Sequence, residues 1–328
     1  MKPFILMTAL FISLVLQTSP VDAKSTTIPD FTARKALYLK TGAVTGVPWT
    51  LIAACDQYAR NMADSQPKAL KNSAYLDIPF SNNVWTGPVH PAQSQNDPLI
   101  IHFFGGQGRD GNGDGIADRK NDQDRLFTIA EKIAAAGPGE QNNRIGLWNL
   151  YHRGKAVEMI EAYAAIYSAY NTVDLSGHAF PLPLRANYDY ESSWGAKRGW
   201  GGLRIHEGTD LFADYGTTVY ATCYGMVEMI GWNKYGGWRV GIRDINGDYH
   251  YFAHLNGYAP HLHRGSITRP GEEIGYVGSS GYGPKGTMGK FPPHLHYGLY
   301  LDNGRSEYSV DPYPSLRLWE REALSRRP

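Results

Sequence analysis

The stretch RIHEGTDLFADYGTTVYA, Arg204 to Ala221, together with PPHLHYGLY, Pro292 to Tyr300, decides how this chain is read. The first holds His206 and Asp210, the second His294 and His296. Neutral imidazole nitrogen and carboxylate oxygen are good zinc ligands, and a catalytic zinc takes three protein ligands beside one open position. Three of these four side chains fit that task if the fold brings the two stretches together. A lone histidine is more often a surface or core residue satisfied by a hydrogen bond. The helical HExxH signature is absent from the chain. The joint pattern carries the argument instead. HEGTD runs into a strand start, GTTVYA, and is followed by GMV, by YFAHL at Tyr251 to Leu255, by GEEIGYVG at Gly271 to Gly278, and by HLH. Read as a strand, HLH is expected to aim its two imidazoles at opposite faces, unless a tight turn re-aims one. One histidine then binds metal while the other serves the reaction, or both line one site from different directions.

These residues, in this order, resemble the lysostaphin-type zinc endopeptidases that cut the peptides of bacterial cell walls. The resemblance covers Asn187 to Pro314. Carried over residue by residue, it implies zinc ligands at His206, Asp210 and His296 and catalytic histidines at His254 and His294. One departure is a long loop, YGPKGTMGKFPP, between the turn at Gly278 and HLH. It bears on the local groove shape and leaves the ligand set intact.

A length of 328 residues suggests two domains more naturally than one. With 42% hydrophobic and 19% charged residues, the chain can build ordinary cores. A formal net charge of +1 leaves no global field to recruit nucleic acid or acidic lipid. Met1 to Ala23 reads as a signal peptide: Lys2, an apolar run from Phe4 to Leu16, and small residues at Val21-Asp22-Ala23. The apolar run is short for a membrane span, although an uncleaved anchor stays open. Either way the expected place of work is extracytoplasmic, at the cell wall or spore envelope. The two cysteines, Cys55 and Cys223, fall in different expected domains and read as buried thiols.

Residues 24–175 read as a helical domain, with helices at Thr32–Thr41, Trp49–Asp64 behind Pro48, Asp124–Ala136, Asn142–Tyr151 and Lys155–Tyr170. Within it, Asp110 to Asp124 alternates oxygen-bearing side chains. Asp110, Asn112, Asp114, the Ile116 carbonyl and Asp124 are expected calcium ligands, with Gly115 at the sharp turn. The twelfth position, where an EF-hand wants Glu, is Asn121. This loop and VPWTLIAA, which opens the Trp49 helix, resemble lysozyme-like lytic transglycosylases. The resemblance puts their catalytic Glu at Ala59, with Asp56 one turn away. Transglycosylase chemistry needs a carboxylic acid of raised pKa. The domain is therefore read as lysozyme-like, binding glycan without cutting it.

A Pro-rich linker spans 176–186, a peptidase domain 187–317, and a charged, solvated tail 318–328. Strands are expected at Val219–Thr222, Met226–Gly231, Trp238–Arg243, Tyr249–His254, Ile274–Val277 and His294–Leu301, with a hairpin at Asn246-Gly247. The fold expected is α+β in two domains, the second an antiparallel sandwich or half-barrel with an open groove. His294 is read as the base and His254 as an orienting or stabilising partner, an assignment that can be reversed. His250 is placed on the same strand face as His254, as packing or support, and His261 and His263 in a loop without a role. Across both domains, including Trp194-Gly195 and Gly199-Trp200-Gly201-Gly202, the chain resembles L-Ala–D-Glu endopeptidases of spore-forming bacteria. This implies stem peptides and glycan strands of peptidoglycan as partners, with no obligate protein partner evident. D,D- or glycyl-endopeptidase action on cross-links and a non-catalytic glycan-binding scaffold remain open alternatives, to be decided by groove loops such as Gly283 to Pro293.

Overall fold

The computed structural model describes residues 31–64, 76, 78, 80–89, 96–199 and 204–326. The expected signal peptide and Trp200, Gly201 and Gly202 lie outside the described residues. The helical part comprises α1 (Phe31–Thr45), α2 (Trp49–Asp64), α3 (Asn82–Thr86), α4 (Pro98–Phe103), α5 (Asp122–Ala134), α6 (Glu140–Tyr151) and α7 (Gly154–Tyr170). Strands follow: β1 (Tyr188–Tyr190), β2 (Lys197–Arg198), β3 (Arg204–Ile205), β4 (Thr209–Ala213), β5 (Thr218–Tyr220) and β6 (Gly225–Asn233). Then come β7 (Gly237–Asp244), β8 (Tyr249–Tyr258), β9 (Ile267–Thr268), β10 (Glu273–Val277), β11 (His294–Asp302) and β12 (Glu307–Val310). A last helix, α8, spans Tyr313–Ser325. Among the described residues no helix is long and apolar enough to cross a membrane.

Ten strands make one antiparallel sheet in the order β1-β4-β11-β8-β7-β6-β9, with β12 on β11 and β10 joining β8 to β5. Strands β2 and β3 form a separate small ribbon. Side chains alternate along a strand, so residues two apart share a face. Leu295 and Tyr297 of β11 are fully buried in the sheet's core, and His294 and His296 stand together on the other face. This corrects the expectation that the two imidazoles of HLH diverge: they are two positions apart and point the same way.

Two further expectations change. Residues 176–186 do not hang between domains. Phe180 and Leu182 are 4% and 2% exposed and belong to the sheet's core, and Ala179 N donates to Thr222 O at 2.9 Å. The tail expected to be solvated from Leu318 onward is the continuation of α8. Leu316 and Trp319, three residues apart, share one helix face and are buried in the same core. Glu320 beside them accepts from the hydroxyls of Tyr188 and Tyr190 at 2.6 and 2.8 Å. Trp319→Ala is therefore expected to cost about 3–5 kcal/mol, as for other buried aromatics, measurable as a lower urea midpoint at unchanged m-value.

The helical part has its own core, built from residues such as Ile52, Leu126, Ile160 and Tyr163. The β7–β8 hairpin inserts Ile245 into it. Asn61 donates to the Ile245 carbonyl at 3.1 Å, and Arg153 pairs with Asp302 at 2.8 Å. Helices and sheet are thus packed on one another. Cys55 and Cys223 are both buried and unpaired.

Candidate active site

Asp210 on β4 is the direct cross-strand partner of His296 on β11, and Ala253 on β8 is the partner on the other side. Cross-strand partners present their side chains to the same face, so the ladder sets Asp210 against His296. His206 arrives from the turn between β3 and β4. Gly208 in that turn lets the two segments meet: a Cβ there would lie 2.5 Å from the Tyr297 carbonyl oxygen and 2.7 Å from His296 Cε1. Contact that close with backbone cannot be relieved by a side-chain shift. Gly208→Ala is expected to push His296 away and lower zinc content and peptide cleavage together, as metal analysis and a turnover assay on one preparation will show.

The donor atoms form a near-equilateral triangle. His206 Nε2 lies 2.9 Å from His296 Nδ1 and 3.0 Å from Asp210 Oδ1, and His296 Nδ1 lies 3.0 Å from Asp210 Oδ1. Zinc with bonds of about 2.0–2.1 Å keeps tetrahedral ligand atoms about 3.3 Å apart, so this two-imidazole, one-carboxylate set fits it. Two of the three are held from behind. His206 Nδ1 donates to the Ser193 carbonyl at 2.9 Å, and the Arg198 guanidinium bonds the outer oxygen of Asp210. Burial works to raise the Asp210 carboxyl, but hydrogen bonds from His206 and His296 outweigh it and hold the group far below the usual carboxylate range.

His254 and His294 stand beside the triangle, their rings 4.8 Å apart and the His254 ring 5.9 Å from that of His296. The alternation of β8 would send His254 into the core with His250 and Phe252. Its backbone instead takes a left-handed φ of 62°, uncommon away from glycine, which re-aims the ring at the groove. The even spacing that placed His250 with His254 is therefore misleading. His250 is 1% exposed and lies on the core side. His261 and His263 lie in the loop between β8 and β9.

His254 Nδ1 bonds the Ser280 carbonyl and His294 Nδ1 the Pro292 carbonyl, both at 2.8 Å. A carbonyl only accepts, so each Nδ1 carries the proton and each Nε2 keeps a lone pair. Burial, reinforced by His294 and His296, lowers His254 to about 3, and burial lowers His294 as well. Both rings are thus neutral proton acceptors at pH 7. His254 in this tautomer is an acceptor, which favours orienting a water over stabilising an oxyanion.

The site opens into a groove of about 1240 Å³. Tyr235, Tyr251, Tyr282 and Phe291 line it with Arg204 and Arg239. Tyr282 stacks on His254 with centroids 6.0 Å apart, and Phe291 packs on His294 at 5.0 Å. Phe291 and Lys290 come from the loop singled out as setting the groove shape. Ser193, Arg198, Ser280 and Arg239 carry no sequence signal of their own.

In the Asp110–Asp124 loop the expected calcium ligands are held by local hydrogen bonds. Asp110 accepts from Gly113 N and Gly115 N, both at 2.7 Å, and Asn112 Nδ2 donates to Asp114 Oδ2 at 2.8 Å. Asp124 accepts from the amides of Gly111, Asn112 and Asp118 at 2.9, 3.3 and 2.7 Å. Through these amides the Asp124 carboxylate pins the loop to α5. In the helical part Asp56 is fully buried, accepting from Tyr38 at 2.7 Å and paired with Arg60 at 2.9 Å and Arg34 at 3.4 Å. It is a locked ion-pair partner.

Ligands on one flank, two proton acceptors on the other and an open groove between them suit a metal-dependent hydrolase acting on an extended substrate. Residues 204–312 match peptidase family M23. An L-Ala–D-Glu endopeptidase of Bacillus subtilis is 50% identical over 98% of this chain and 99% of its own. Lysostaphin of Staphylococcus staphylolyticus is 29% identical over 40% of this chain and 28% of its own. The solved catalytic domain of lysostaphin from Staphylococcus simulans shares 30% identity over 40% of this chain and 93% of that one, with a TM-score of 0.33. The chain belongs to peptidase family M23 and is a metalloendopeptidase.

Proposed function

We propose that this enzyme hydrolyses the bond between L-Ala and D-Glu in peptidoglycan stem peptides. The full-length likeness to the Bacillus subtilis enzyme carries this reading. Zinc held by His206, Asp210 and His296 would polarise a water and the scissile carbonyl. The Nε2 atoms of His294 and His254 accept the two hydrogens of the attacking water. His294 takes the proton and returns it to the leaving amine, and His254 holds the water in line. Mass spectrometry of muropeptides after digestion tests the bond. A new D-Glu amino terminus is expected, whereas cuts confined to cross-links would overturn the assignment.

The groove supports a D-Glu side of the bond. A glutamyl residue linked through one carboxyl keeps the other as a free carboxylate. Arg239 lines the groove, and its buried Nε has no hydrogen-bond partner among the described residues. Arg204 lies nearby, its guanidinium 5.6 Å from the Tyr235 ring centroid. Arg239→Ala is expected to lower kcat/KM about 10- to 100-fold, the scale of one hydrogen bond to a charged group. With a substrate whose D-Glu carboxylate is amidated, variant and wild type should converge.

We further propose that the helical part is lysozyme-like and binds glycan strands, that residues 1–23 direct export to the cell wall or spore envelope for wall or cortex remodelling, and that the Asp110 loop takes calcium. Alternating oxygens at Asp110, Asn112 and Asp114 with the Ile116 carbonyl support the calcium reading. It is tested by a rise in melting temperature on adding calcium after chelation, through mass action. No shift at millimolar calcium marks the loop as a plain turn.

A further inference from the structure

We infer that Cys223, Asp244 and His250, with His178 as a fourth donor, form a second zinc site on the core side of the sheet, away from the groove. One ligand atom from each of the first three lies within 4.8 Å of the other two. All three residues are 1% exposed. His250 Nε2 is 3.3 Å from Asp244 Oδ2, and His178 Nε2 is 4.0 Å from the same oxygen. These four residues come from separate segments: the linker, the turn after β5, the end of β7, and β8. An antiparallel bridge between His178 and Cys223 draws the linker alongside.

The surroundings are those of oriented ligands. A metal-binding imidazole usually donates its other N–H to a second partner. His250 Nδ1 lies 2.7 Å from the Tyr297 hydroxyl and 2.9 Å from Thr222 Oγ1. Asp244 Oδ1 accepts from the amides of Asn246 and Asp248 at 2.9 and 2.8 Å, and Oδ2, with a long 3.4 Å bond from Asn246 Nδ2, faces the imidazoles. The His178 ring stacks flat on Trp319, centroids 4.9 Å apart. Buried charges are normally paired or coordinate metal. Among the described residues Asp244's ion-pair partners are the two imidazoles alone, since neighbouring Arg243 is engaged by Glu228 and Glu307. Sulfur and imidazole donors favour zinc over calcium or magnesium, and a closed four-ligand set is structural. Such an ion would tie the linker and the β7–β8 hairpin, which enters the helical core, to one point of the sheet.

The test uses the full chain produced in cobalt-supplemented, zinc-depleted medium. The groove ligands contain no sulfur, so only the second site can give a near-ultraviolet thiolate-to-cobalt charge-transfer band. The band is expected in the wild type, lost in Cys223→Ser and retained in Cys55→Ser and His206→Ala. The zinc form should hold about two ions per chain, one from each site. Absence of the band in a wild-type protein whose groove holds cobalt overturns the proposal, and that spectrum needs no variant to fold. Equally, a single zinc per chain that disappears in His206→Ala shows the cluster to be a hydrogen-bonded core.

Discussion

His206→Ala, Asp210→Ala and His296→Ala will each empty the groove of zinc and abolish peptide cleavage. The three donor atoms are about equally spaced, at 2.9 to 3.0 Å, so none is a bystander whose removal leaves a complete set. Two remaining ligands give far weaker affinity, and the buried partners also lose a compensating neighbour. With Asp210 gone, two imidazoles and the Arg198 guanidinium are left without the carboxylate that bonds them. Metal binding is coupled to folding, so thermal stability should fall with occupancy. The measurement is zinc content after dialysis against a competing chelator, beside turnover on stem peptides. A fully zinc-loaded and active Asp210→Ala protein would remove the carboxylate from the ligand set.

The Arg198→Ala variant should sit between wild type and these. Arg198 bonds the outer oxygen of Asp210 and so fixes the carboxylate's orientation. Loss of such supporting contacts commonly costs about 10- to 100-fold in metal affinity. Titration with a zinc indicator measures the change. Arg198→Lys should recover part of it, because charge is kept while the planar fork is lost.

The meeting of His206, Asp210 and His296 was legible because each sits in a dense local pattern, HEGTD or HLH, and the strands between them carry strong turn signals. What was not legible arises from contacts and backbone angles that no short window contains. Arg198 reaches Asp210 through a two-residue ribbon, and Arg239 is positioned by a bulged strand. His254 is aimed by one left-handed residue, against the alternation of its strand. The shared face of the two HLH histidines follows from the pleat alone, since residues two apart in a strand lie on one side. The tail's charge masks its buried face. The spacing of Leu316 and Trp319 marks a buried helix face, but the partners that satisfy Glu320 are tyrosines more than a hundred residues earlier. The five longer helices of the helical part were legible because their period is local, the short α3 and α4 were not, and the entry of Ile245 into the helical core is a tertiary fact.

His294→Ala and His254→Ala are expected to behave unlike the ligand variants: folded, zinc-loaded and nearly inactive. His294 and His296 share a strand face two positions apart, yet only His296 contributes a vertex of the donor triangle. His294 Nε2 lies 3.7 Å from Asp210 Oδ1, outside that triangle, with its Nδ1 proton committed to the Pro292 carbonyl. Its Nε2 lone pair is therefore left available beside the triangle, where the groove opens. Loss of a proton-transfer imidazole costs about 10²–10⁴-fold in rate, and for a group that acts in the chemical step the effect should fall on kcat. His254→Ala should lose less than His294→Ala if it only holds the water, and the order reverses if His254 is the base. Alanine keeps the Cβ that makes a φ of 62° costly, so His254→Gly, which carries none, is the companion variant that separates lost activity from backbone strain. If His294→Ala loses its zinc while His296→Ala keeps it, the two roles are exchanged. If His294→Ala turns over stem peptides at nearly the wild-type rate, proton transfer does not pass through this ring.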